Sequence, residues 1–245
     1  GPITWIDQIG LKAFVAQAGV YAAKYGDRFS PPQLLRDMAE QGRTFYGEQI
    51  TVKPYSSCRA THGAIELALR WREEVGGRVD GLRRVTVRVT PEVDRLVGSP
   101  REARLRPDSA PGAQFSLPYT VAAALRRGRL FLVEMAPEAY TSESILALAE
   151  KVFVEPDPAM RTDLVVGRTE VEIEADGRPA WRQAVDHPLG GPTRPLSAEA
   201  CRQKFMAAAE RAVRRPDPAR LERLVAQAER LESLDDVSGL PRLLA

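Results

Sequence analysis

Lys53-Pro54-Tyr55-Ser56-Ser57-Cys58-Arg59-Ala60-Thr61-His62 decides how this chain is read. Ten residues bring together an ammonium, a phenol, a thiol, a guanidinium and an imidazole. The chain holds only five lysines and two histidines against thirty arginines, so a segment with one of each differs from ordinary solvated surface. Upstream, Ile50 to Tyr55 is short and rich in β-branched and aromatic residues, the pattern of a strand, and Pro54 puts it at a sheet edge or a strand end. Downstream from Thr61, Leu67, Trp71 and Val75 fall on one side of a helix and Ile65, Ala68 and Leu69 on another. A helix apolar over so much of its circumference is expected between layers. The segment is therefore a strand-to-helix turn, and the chemistry is expected there.

Working outward, Val85, Val87 and Val89 alternate with Thr86, Arg88 and Thr90, the period-2 signature of a half-buried strand. Residues 99–112 hold three prolines and several charges and read as a loop, a candidate lid, ahead of a helix from Gln114 to Arg127. A short helix over Thr141–Glu150 leads to a strand around Val152–Glu155. Val171 and Ile173 alternate with Glu170, Glu172 and Glu174 before Asp176-Gly177, a hairpin signal, and a return strand runs from Pro179 to Val185. The glutamate row reads as a solvated sheet face. Toward the N-terminus, residues 5–25 read as an apolar helix, and Ser30-Pro31-Pro32 opens a second one, capped by Ser30, that runs to about Gln41. Toward the C-terminus, Ser197 caps a helix holding Phe205, Ala208, Ala209 and Ala212, with Glu199 in its first turn. An apolar face follows through Leu221, Leu224, Val225, Ala228 and Leu231 and continues to Leu240. Helices, then strands mixed with helices, then helices again define an α+β class: a mixed sheet with packed helices, flanked by terminal helices. The expected divisions are an N-terminal helical segment over 1–45, an α+β domain over 46–195 and C-terminal helices over 196–245.

Composition bounds the function. At 245 residues, 44% hydrophobic and 28% charged, the chain is an ordinary globular one. A net charge of +2, with both signs interspersed, gives no field for nucleic acid or an anionic membrane. No apolar run is long enough to span a bilayer and the N-terminus has no signal-peptide pattern, so the default expectation is a cytoplasmic protein. Gly1-Pro2 reads as the scar of a tag-cleaving protease. Cys58 and Cys201 do not make a disulfide framework and are expected reduced. Two widely separated histidines and two lone thiols give no metal-ligand spacing, so no metal is expected.

The Lys53–His62 segment resembles the KPYPxCRxTH-type signature of the MmgE/PrpD family. Three further boxes keep the family's order: Phe115-Ser116-Leu117-Pro118-Tyr119; Lys151-Val152 followed by Asp157-Pro158; and His187-Pro188-Leu189-Gly190 through Pro195-Leu196-Ser197. Ser56 stands where proline is usual and Leu189 where a lysine is usual. The resemblance covers the later part of a family enzyme, its smaller α+β lid domain, and lacks the large helical domain that carries several acid/base residues. It implies dehydration, decarboxylation or epimerisation of a small polycarboxylate without a cofactor, by proton transfer at carbon. It places Lys53 and Tyr119 in the active site. Lys53, Tyr119 and His62 are the catalytic candidates, the last of which could equally cap or pack the helix. Arg59 and Cys58 are the substrate-binding candidates, an arginine at a helix N-terminus being suited to an anion, although Cys58 also reads as a small buried residue. The expected partners are a small carboxylate and either a helical-half chain, which would make this one subunit of a split enzyme, or a second copy, since family members are dimers. A stand-alone repurposed isomerase or cyclase and a non-catalytic binding module are the alternatives.

Overall fold

The computed structural model describes residues 9–39, 50–160 and 166–243. The chain divides into two compact units at the junction between Ile50 and Thr51. In the first, helix α1 (Leu11–Tyr25) has no buried residue. Gly26 ends it at φ +94°, a conformation that favours glycine. The rings of Tyr21, Tyr25 and Phe29 gather at its end, with centroids 5.9–6.4 Å apart. Helix α2 (Gln33–Ala39) starts after the two prolines, and the Pro32 carbonyl accepts from Leu35 N–H. Ser30 instead closes the 3-10 turn Asp27–Phe29. Residues 5–8 and Gln41, the outer ends of the two expected helices, lie outside the described residues.

The second unit is built on α3 (His62–Glu74), the four-stranded sheet, and the helices packed on one face of that sheet. After β1 (Leu82–Val89), the stretch expected as a lid loop folds instead into α4 (Arg101–Leu105) and α5 (Ala110–Gln114). Ser109 Oγ caps the second of these by accepting from Gly112 N–H at 3.2 Å. Its prolines sit where a helix tolerates them, Pro111 in the first turn of α5 and Pro100 just ahead of α4. Helix α6 (Leu117–Arg127) is capped by Ser116, whose Oγ accepts from Tyr119 N–H at 3.0 Å. Every residue from Leu117 to Leu125 is buried, as expected for a helix enclosed on several sides. Helix α7 (Glu143–Ala149) then delivers the chain to β2 (Val152–Pro156), and β3 (Thr169–Ala175) and β4 (Trp181–Val185) complete the sheet. Its order is β2-β1-β3-β4, with β1 parallel to β2 and the other neighbours antiparallel. The fold is α+β, with a mixed sheet.

Side-chain alternation divides the sheet into two faces. Val85, Val87 and Val89 of β1, Val152 of β2, and Val171 and Ile173 of β3 are buried; α3 packs over β3 and β4, and α6 over β2. On the other face Arg88 reaches both neighbours, Glu155 on β2 at 3.5 Å and Glu172 on β3 at 3.3 Å, while Arg182 joins Glu172 at 2.7 Å. A guanidinium fork spans two ladder positions as an ammonium does not, which gives a local reason for arginine here. The Arg84 and Arg101 guanidinium groups also stack on the Phe153 ring, at 3.9 and 4.5 Å from its centroid.

The two C-terminal helices, α8 (Ala198–Ala209) and α9 (Pro218–Ala228), are capped by Ser197 and Asp217. Arg202 and Glu222 pair between them, and α9 buries Leu221 and Val225. Beyond Ala228 the expected apolar helix gives way to 3-10 turns, and Leu231 and Val237 are exposed. Residues 50–55 depart from expectation as well. They belong to no strand and bend from Pro54 on, and Val52 N–H donates to the Gly190 carbonyl at 2.9 Å. Pro54 has no amide proton to extend such a pairing into a ladder.

Gly63, in the first turn of α3, lies close against β3. A Cβ there would lie 2.6 Å from Thr169 Oγ1 and 2.8 Å from Thr169 Cβ. Gly63→Ala should therefore destabilise the unit by about 1–3 kcal/mol, the usual cost of overpacking, and lower Tm by roughly 2–4 °C per kcal/mol. An unchanged melting curve would contradict this packing.

Candidate functional site

The turn 53–61 is rigid because its polar atoms satisfy one another. Thr61 Oγ1 donates its one proton to the Cys58 carbonyl at 2.9 Å, so in its 2.8 Å contact with Ser57 Oγ it accepts and the serine donates. Cys58 N–H donates to the Gln114 carbonyl at 2.9 Å, tying the turn to the end of α5. Lys53 Nζ turns back to the Ser57 carbonyl at 3.3 Å. The result is a cleft of about 370 Å³ lined by Lys53, Tyr55, Ser56, Ser57, Cys58, Gln114, Phe115, Leu132 and Lys204. Two lysines and no acidic residue are among the residues that line it.

The second ammonium is delivered by a clamped loop. On the turn, Arg59 donates to the carbonyls of Pro188 and Leu189. Seven residues further on, Glu66 accepts from Arg194 through both oxygens, at 2.7 and 3.3 Å, and from Leu189 N–H at 3.2 Å. Arg194 also donates to the His187 carbonyl at 2.6 Å. Gly190 crosses Val52 at φ +96°, and a Cβ there would lie 2.1 Å from the Val52 carbonyl oxygen, a backbone approach open to glycine alone. The loop so held leads into Ser197 and α8, and Lys204 lies in the middle of that helix.

His62 stands behind the cleft wall. It is fully buried, with the Tyr55 ring edge-on at 5.1 Å. Arg59 Nη1 lies 3.2 Å from its Nδ1; a guanidinium only donates, so Nδ1 accepts and the proton sits on Nε2, which faces the Ser57 carbonyl at 3.4 Å. Both nitrogens are committed. Burial, then the Arg59 charge, push its pKa down to about 3, and the Lys53 and Lys204 charges act in the same direction. Burial, then Glu66, push the Tyr55 phenol up to about 12, so it remains a proton donor.

Of the five candidates, the structure brings Lys53 and Cys58 together on the cleft. Arg59 is committed to the loop carbonyls, and His62 to the turn. Tyr119 is fully buried, its hydroxyl donating to the Glu134 carbonyl, and burial raises its pKa; it does not line the cleft. Lys204 was not singled out by the sequence motifs. Its rarity in a chain with five lysines was the available signal, but nothing in the local pattern shows that α8 folds back onto the turn.

Three of the four motif boxes thus meet here: the turn itself, the residues Phe115 and Ser116 at the start of α6, and the clamped loop that ends in Ser197. The fourth is structural, with Lys151 Nζ donating to the Leu82 carbonyl at 2.6 Å. The model of the MmgE/PrpD C-terminal domain matches residues 55–230, and the chain belongs to the MmgE/PrpD family. Among curated proteins, the cis-aconitate decarboxylase of Mus musculus is 27% identical over 203 residues, which is 80% of this chain and 40% of that protein. The fatty acid oxidation complex subunit alpha of Vibrio parahaemolyticus is 48% identical over 46 residues, 19% of this chain and 6% of its own length, and that of Acinetobacter baylyi is 49% identical over 47 residues. The chain therefore spans less than half of each of these relatives. No helix among the described residues is long and apolar enough to cross a membrane, and these residues form no cluster of ligands that could hold a metal ion.

The sign of the His62 shift makes a test. Unfolded, the imidazole takes up a proton below its ordinary value of 6.5; folded, it stays neutral to about 3. Its contribution to stability is complete above pH 6.5 and is lost as pH falls from there toward 3. His62→Gln should be less stable than the parent at pH 7, yet lose less stability across that interval, as read from denaturant midpoints at a series of pH values. Parallel profiles would remove the buried neutral imidazole from the account.

Proposed function

We propose that this chain supplies the carboxylate-holding half of a lyase- or isomerase-type active site, acting on a small polycarboxylate by proton transfer at carbon. The observation that carries the proposal is that Lys53 and Lys204, two of the chain's five lysines, both line one cleft that no acidic residue lines, together with Tyr55. Two ammonium groups are suited to hold two carboxylates of one substrate, and charge-assisted bonds of this kind are the strong ones. The family and the similarity to a cis-aconitate decarboxylase support the reaction class. In a decarboxylation the bond to one carboxylate breaks, carbon dioxide leaves, and the remaining electron pair takes a proton at carbon. Lys53 and Lys204 would hold the substrate's carboxylates during that step. Arg59 and Glu66 would act as positioning residues, through the loop that sets Lys204.

No carboxylate or imidazole is among the cleft-lining residues, and His62 and Tyr119 are occupied behind them. The acid and base groups are therefore proposed to come from a separate helical-half chain that closes over the cleft. The same observation favours a second reading, a non-catalytic carboxylate-binding module. Turnover of cis-aconitate or a related tricarboxylate by the chain assembled with a helical half, against binding without turnover, separates the two.

The holding role is testable on this chain alone. Lys53→Ala and Lys204→Ala should each weaken binding of tricarballylate by about ten- to a hundredfold, the worth of a hydrogen bond to a charged group, in isothermal titration. Unchanged affinity in both variants would refute the cleft as the carboxylate site.

A further inference from the structure

The carboxylate cleft does not end at Lys204. Tyr55 and Lys204 also line a second space, a trench of about 580 Å³. Leu130, Phe131 and Val133 line it together with Leu189 and Leu196 of the clamped loop, as does Ala207, one turn of α8 beyond Lys204. The small residues on this face of α8, Ala200 and Ala207, leave the space open. Arg129, Gln203, Glu210 and Arg211 line it as well, and Arg129 is paired with the buried Glu134 at 3.1 Å. A cleft lined by two lysines and a mainly apolar space that shares one of them put two chemistries next to each other.

We infer that the site takes a carboxylate bearing a hydrocarbon chain, with the carboxylates at Lys53 and Lys204 and the chain lying along the trench between α8 and the 130–133 segment. This rests on the carboxylate-holding reading of the cleft and goes beyond it, because a compact polycarboxylate would fill the cleft and leave the trench unused. Tyr55 stands at the boundary, where an aromatic ring offers an apolar body to the chain and a hydroxyl to the acid group. The physical expectation is that affinity rises with each buried methylene, since apolar area leaves water as the chain enters the trench.

The experiment is a titration of the full chain with succinate and a series of 2-alkylsuccinates from methyl to octyl, repeated with Ala207→Trp and Ala200→Phe, which fill the trench from α8. Affinity should rise about two- to fourfold per methylene over the first several carbons, and this rise should disappear in either filled variant. n-Octylamine, which has the chain without the acid, should bind far more weakly than octylsuccinate. Succinate binding with no dependence on chain length would overturn the inference and leave the carboxylate cleft standing. Binding of no member of the series would overturn both. A rise that persists in both filled variants, or octylamine binding as tightly as octylsuccinate, would place the chain elsewhere and also overturn the inference.

Discussion

The site depends on one constraint: α3 holds the 187–194 loop at two points. Arg59, just before the helix, takes two successive carbonyls of that loop, and Glu66, within it, takes the Arg194 guanidinium and the Leu189 amide. Glu66 is largely buried, with 11% of its side chain exposed, so its pairing is more than a surface ion pair. Breaking a partly desolvated pair leaves a charge without compensation, which costs far more than a loose surface pair returns. Because α8 begins directly after this loop, the clamp also sets where Lys204 stands. The second ammonium of the cleft is positioned by a helix more than a hundred residues earlier in the chain.

The same economy governs the groups behind the wall. A cation beside a buried imidazole would normally be unfavourable, and here the conflict is resolved by keeping the imidazole neutral and using its Nδ1 as an acceptor for Arg59. Arg59 thus joins two parts: the turn through His62, and the loop through Pro188 and Leu189. The Ser57–Thr61 pair and the Cys58–Gln114 bond fix the remaining wall. Tyr119 performs a comparable task deeper in the core, tethering the Glu134 backbone. Residues whose chemistry suggests proton transfer are used here to make the cleft rigid, and preorganised positions are what charge recognition requires.

Much of the fold could be read from the sequence. The valine alternation at 85–89 and the glutamate alternation at 170–174 are strands because period-2 burial is written directly into the residue order, and Ser197 announces the helix it caps. The 99–112 stretch misled because prolines were read as breakers, although Pro111 sits in the first turn of a helix, where it costs little. Residues 50–55 have strand composition but no neighbouring strand, and pairing is a tertiary fact that composition does not contain. At the site, the motif gathers Lys53 and Cys58, which line the cleft, with Arg59 and His62, which do not, and it does not distinguish lining residues from supporting ones. Whether His62 or Arg59 faces a cleft or a carbonyl depends on a loop 130 residues away. Lys204 escaped for the same reason.

The central claim is that the clamped loop brings Lys204 beside Lys53 to form one carboxylate site. Five lysines are few enough to follow individually, so the direct measurement is NMR of the chain with its lysines ¹³C-dimethylated, a change that preserves their charge, during titration with tricarballylate. The account predicts that the Lys53 and Lys204 signals move together along a single binding isotherm while Lys151, held on the Leu82 carbonyl, stays in place, and that Glu66→Ala uncouples the two. Separate isotherms for Lys53 and Lys204, or a coupled response that survives Glu66→Ala unchanged, would contradict it.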